Sequence, residues 1–182
     1  MEHHEYEKPM SAEDKEGLRS IIEGKKSGVM FHTNAMESFL MAGLCGLAML
    51  QQYQAVDEHY QYLCLLEEYV KRTGEMPMIQ YREPDPINID AKEPMCEKID
   101  KALDIYRDYE KMTLDSLKTA KKRMPNEEDT VEWLIKGTKE ELDFINKLSK
   151  YVDKCEYDDK TLKKFDKWIY DMYKKKMPKF SN

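Results

Sequence analysis

Glu23, Glu58, Glu110 and Glu141 stand where amphipathic helices should carry apolar side chains. Glu58 lies on the line Leu40, Leu44, Leu47, Gln51, Gln54, Glu58, Gln61 and Leu65, whose members follow one another by three or four residues. Glu110 interrupts the stripe Ile99, Leu103, Tyr106, Thr113, Leu117, Ala120, and Glu141 the stripe Leu134, Thr138, Ile145, Leu148, Val152. Glu23 leads a line through Ser27 and Met30, where the small serine would leave space beside it. A buried carboxylate is costly unless it is paired or bound to a metal. Several carboxylates turned to one centre repel one another unless cations sit among them. Oxygen ligands of this kind suit iron, manganese and similar cations, and two such ions bridged by glutamates can exchange electrons with oxygen. Salt bridges to lysines, or glutamates at stripe edges reaching solvent, are the alternative.

Other chemistry has less support. Met30, Met36, Met41, Met49 and Met112 have the spacing of core packing rather than of a metal box. His59 lies about 100° round the helix from Glu58 and points to solvent, while His32 is left open between packed and exposed. Cys45 and Cys64 read as small core residues, and none of the four cysteines forms a CxxC pair. No glycine-rich phosphate loop and no Ser-His-Asp pattern appears.

The elements that must position these carboxylates are helices. The 182 residues suffice for a single domain, 1–182, with a sizeable core, and 36% charged with 41% hydrophobic residues and only 7 glycines fits a soluble helical chain. Residues 1–10 read as a polar arm. Ser11 is a candidate N-cap. The first helix is expected to reach about Thr33, with a second starting at the capping-box pattern Asn34-Ala-Met-Glu37, or a break nearer Ala42-Gly43. The second helix closes at Lys71-Arg72-Thr73-Gly74. Residues 75–95 hold Pro77, Pro84, Pro86 and Pro94 and cannot be mainly helical. Extended, such a stretch spans roughly 66 Å, enough to cross from one end of a bundle to the other. A third helix follows over about 98–122, a fourth from the capping-box pattern Asp129-Thr-Val-Glu132, and a short fifth over 160–177.

The net charge of −6 argues against nucleic acid as a partner. The longest apolar stretch, 39–50, is too short to span a bilayer, and no membrane partner is expected. The lysines of the last quarter read as a solvated face, with a phosphate or membrane-surface contact as the alternative. Met1-Glu-His-His-Glu-Tyr-Glu carries no secretory signal, which makes the cytoplasm the expected compartment.

Gly43-Leu-Cys-Gly-Leu-Ala-Met-Leu-Gln-Gln-Tyr-Gln-Ala-Val-Asp57-Glu58 resembles the second helix of ferritins, and Glu68-Tyr-Val-Lys-Arg-Thr-Gly74 resembles that family's helix end. The order of helices and the long crossover match over about residues 12–176. The resemblance implies a ferritin-like four-helix bundle that binds and stores iron. Iron(II) would be oxidised by oxygen at an intra-subunit di-iron site, iron or another divalent cation being the metal. Iron(III) would be kept in a homo-oligomeric shell of 24 subunits. It puts Glu23, Glu58 and Glu110 (Asp104 under a shifted alignment) in catalytic positions, with Glu141 and Gln61 completing the metal ligands. The family's Glu-x-x-His pattern is Glu58-His-Tyr-Gln61 here, and a tyrosine common seven residues after the first glutamate is Met30. Those departures imply the alternative, a ferritin-fold structural subunit without ferroxidase activity. A DNA-protecting mini-ferritin is a third reading, opposed by the short fifth helix and the acidity.

Overall fold

The computed structural model describes residues 10–81, 83–124 and 126–178. The arm through residue 9, with His3 and His4, lies outside them. Among the described residues the chain is all-α: α1 (Ala12–Met41), α2 (Cys45–Thr73), α3 (Met95–Arg123), α4 (Glu128–Ser149) and α5 (Asp159–Lys176). None of these helices is long and apolar enough to cross a membrane.

Ser11 caps α1, its hydroxyl accepting the Asp14 amide at 3.0 Å. The helix does not stop at Thr33. It runs on to Met41, and the break falls at Ala42-Gly43. The Asn34 pattern is thus helix interior, because Ala35 and Phe39 continue the buried line and tertiary packing overrides a local capping signal. Gly74 takes the left-handed conformation (φ 69°) that ends α2, its N–H returning to the Val70 carbonyl. Helix α4 begins one residue before the expected Asp129 cap. There Glu127 is buried and grips Arg72 with both oxygens, at 2.7 and 2.8 Å, which ties the start of α4 to the end of α2.

Pairings along the helices fix their directions. Lys25 meets Glu58 and His32 meets Gln51, so α1 and α2 are antiparallel. The crossover then retraces α1 from its beginning to its end. Glu75 pairs with Lys15, the Gln80 N–H reaches Glu23, Ser38 donates to the Ile87 carbonyl, and Lys98 of α3 donates to the Ala42 carbonyl. The proline-rich stretch therefore carries the chain the full length of a 30-residue helix, about 45 Å. Helix α3 runs back, and α4 returns beside it, the link that follows α4 being tied to the start of α3 by the Cys96–Cys155 disulfide.

Helix α5 closes the upper end. Leu44, at the N-cap of α2, offers no side-chain acceptor. Asp166 of α5 supplies one from outside, taking the Gly46 and Leu47 amides at 2.8 and 3.0 Å. Two apolar clusters fill the interior. One joins Phe39, Leu47, Ile99, Ile145 and Ile169 near the α5 end; the other joins Leu18, Ile22, Leu65, Leu117 and Leu134 near the start of α1. Cys45 and Cys64 belong to neither: both are exposed, because each falls on the outward side of α2. Leu40 is half exposed as well.

Candidate functional site

Between the two apolar clusters lies a polar layer. Lys25, His32, Gln51, Gln54, Glu110 and Thr138 are all buried within it, and Glu58 and Glu141 are partly buried. Every bundle helix contributes, because each stripe carries a polar residue at the same height. On α1 the buried line is Leu18, Ile22, Lys25, Gly28, His32, Ala35, Phe39, so the helix turns a lysine and a histidine inward.

The centre of the layer is an ion pair. Lys25 Nζ stands 2.8 Å from Glu58 Oε1, with both side chains largely withdrawn from water. The other oxygen of Glu58 lies against Gly28, where a Cβ would come within 2.6 Å of it and 2.8 Å of the Tyr109 hydroxyl. Glycine there lets the carboxylate and the tyrosine hydroxyl approach α1 closely. On the α2–α4 side the pair opens into a cavity of about 280 Å³ lined by Gln54, Asp57, Gln61, Glu110, Thr138 and Glu141.

Glu110 is raised to a pKa of about 8, by burial first and then by the negative charge of Glu58 and Glu141, so it stays protonated at neutral pH. His32 is pushed down to about 4 by burial. Its Nδ1 lies 2.7 Å from Gln51 Oε1, so that nitrogen carries the proton. Its Nε2 is left as an acceptor without a hydrogen-bond partner, 3.7 Å from Glu110 Oε1. A neutral histidine thus faces a neutral carboxylic acid. Tyr106 donates to Glu141 at 2.8 Å, and burial pushes its own hydroxyl pKa far up. Gln61 donates to Asp57 at 2.6 Å, and burial followed by the Glu58 charge raises Asp57.

These shifts predict the stability profile. The folded chain keeps the Glu110 proton between its ordinary 4.5 and about 8, so stability falls as pH rises through that window. The unfolded chain binds a His32 proton first between 6.5 and about 4, so stability falls as pH drops through that one. The two effects oppose each other below 6.5. Between pH 6.5 and 8 Glu110 acts alone, and Glu110→Gln should flatten the decline measured there by urea unfolding.

The expected ligands are only partly brought together. Glu58, Glu110, Glu141 and Gln61 line the same cavity. Glu23 does not: it sits on the crossover side of α1, paired with Arg19 at 2.5 Å and accepting the Gln80 amide at 3.0 Å. Ser27 bonds back to the Glu23 carbonyl. Asp104 is exposed and pairs with Arg107, which leaves Glu110 as the inward acid of α3. His59 is exposed beside Tyr62. Sequence reasoning missed Lys25, and the signal was its place on the Leu18–Ile22–His32 line.

A di-iron centre does not fit the residues in this arrangement. The inward position on α1 is a cation, the Glu58 carboxylate is already engaged by it, and Gln61 faces Asp57. Among the described residues no group of three or more histidine, cysteine, aspartate and glutamate side chains is placed to hold a metal ion. No family model matches the chain, and no curated protein matches it.

Proposed function

We propose that this chain is a ferritin-like four-helix bundle acting as a structural subunit of an oligomeric shell, with an inner site that does not oxidise iron(II). The observation that carries the reading is the Lys25 ammonium seated on Glu58 in the middle of the polar layer. It supplies covalently the positive charge that a cluster of inward carboxylates needs, so that no metal is required to hold the helices together. The antiparallel order, the crossover that retraces α1 and the short closing helix support the ferritin-like architecture. The outward side of α2 and the crossover support assembly. Val56, Tyr60, Leu63, Met76, Met78 and Tyr81 are exposed there, an apolar face of the kind that subunit contacts cover.

A second reading keeps iron(II) and oxygen as substrates. It is favoured by the cavity itself, whose acids Asp57, Glu58, Glu110 and Glu141 outnumber the one lysine buried among them. The two separate on aerobic iron(II) oxidation by metal-free protein. Structural use predicts a rate no faster than buffer and unchanged in Glu58→Ala. A fast rate lost in that variant would establish the oxidising site instead.

A further inference from the structure

Helix α5 concentrates the positive charge of an otherwise acidic chain. It holds seven lysines against three aspartates, while the whole protein carries −6. One of the aspartates, Asp166, is buried in its capping role, and a second, Asp171, pairs with Lys167. Lys160, Lys163, Lys164 and Lys175 form no ion pair among the described residues and are exposed. Among them runs an aromatic ladder. Tyr151 stacks on Phe165 at 4.9 Å and Phe165 on Trp168 at 6.1 Å, with interplanar angles of 27° and 22°. Tyr151 and Trp168 are half exposed. Helical spacing puts Lys164 one turn before Trp168 and Lys175 two turns after it, on the same line of the helix.

We infer that this outer face of α5, with Tyr151, is a docking surface for an anionic lipid bilayer, an inference beyond the structural role proposed above. Amphipathic rings settle at the headgroup level, and lysines beside them reach lipid phosphates while their methylenes cover the apolar edge. Juxtaposed basic charge adds attraction to anionic headgroups. The rings are stacked on each other, so they present no series of free faces for nucleobases, and the acidity of the rest of the chain opposes nucleic acid. On sequence alone these lysines read as a solvated face, with a phosphate or membrane-surface contact as the alternative; the placement of the ladder among them favours the membrane surface.

The test is co-sedimentation of the full chain with vesicles of phosphatidylcholine, with and without phosphatidylserine. Binding only to the phosphatidylserine vesicles, weakened by salt, is expected. Tryptophan emission should shift to the blue, and the shift should vanish in Trp168→Phe, which retains Trp133. Lys164→Gln with Lys175→Gln should lower partitioning roughly thirty-fold. All these residues are exposed on a helix, so circular dichroism should be unchanged. No binding to phosphatidylserine vesicles, or equal binding by the double variant, overturns the inference. So does a finding that the same lysines drive self-association or duplex DNA binding while vesicles are ignored.

Discussion

Lys25→Met is expected to lower the unfolding free energy by about 3 kcal/mol, as read from urea denaturation at neutral pH. The substitution preserves most of the side-chain length, so little cavity opens. What it removes is the ammonium paired with Glu58, whose second oxygen lies beside Gly28 and the Tyr109 hydroxyl. The stranded carboxylate then meets Asp57 and Glu141 across the cavity, with no buried cation among the described residues lining it. Lys25→Met with Glu58→Met should recover most of the loss, because an apolar pair of similar shape leaves no charge behind. That double-variant behaviour separates a lost ion pair from a lost contact. A neutral Lys25→Met would mean that the lysine swings out to solvent and that the centre of the polar layer is free for another cation.

The second large effect concerns the Cys96–Cys155 disulfide. Its Cα atoms lie 5.6 Å apart and it closes a loop across 59 residues of sequence. Cys155→Ser should cost about 4 kcal/mol on chain-entropy grounds. The bond joins the first turn of α3 to the link between α4 and α5, where Cys155 itself adopts φ 47°, a conformation that few L-residues take. Losing it frees the link that delivers α5 to the start of α2, and with it the Asp166 cap. Reductant should lower the urea midpoint of the wild type to that of Cys155→Ser and leave the variant unmoved. Four titratable thiols in the aerobically purified, denatured chain would contradict the bond outright. Such bonds persist in oxidising compartments, so the thiol count also bears on the cytoplasmic expectation.

The helices were legible in the sequence because apolar residues recur at three and four, and because Ser11, Gly74 and the prolines of 75–95 punctuate them. The boundaries that went astray did so where packing outweighed a local signal: Asn34 looks like a cap but lies between buried His32 and Ala35. The carboxylates of α2, α3 and α4 were readable as misplaced charges on otherwise apolar stripes. On α1 the same logic failed. Glu23 sits two residues before Lys25, and a glutamate on a polar line drew attention from a lysine on an apolar one. A glutamate satisfies the expectation of a metal ligand, whereas Lys25 announces the opposite chemistry. Helix geometry separates them by about 200°, so only one faces inward. The disulfide was illegible for a different reason: two cysteines 59 apart carry no spacing signal, and the exposure of Cys45 and Cys64 depends on which side of α2 the bundle covers.

Iron(II) binding to the metal-free protein, measured anaerobically by titration calorimetry, tests the central claim that Lys25 takes the place of a metal at this site. The account predicts no saturable iron site in the wild type. Two tight iron ions per chain, lost in Glu58→Ala, would contradict it and return the cavity to redox chemistry.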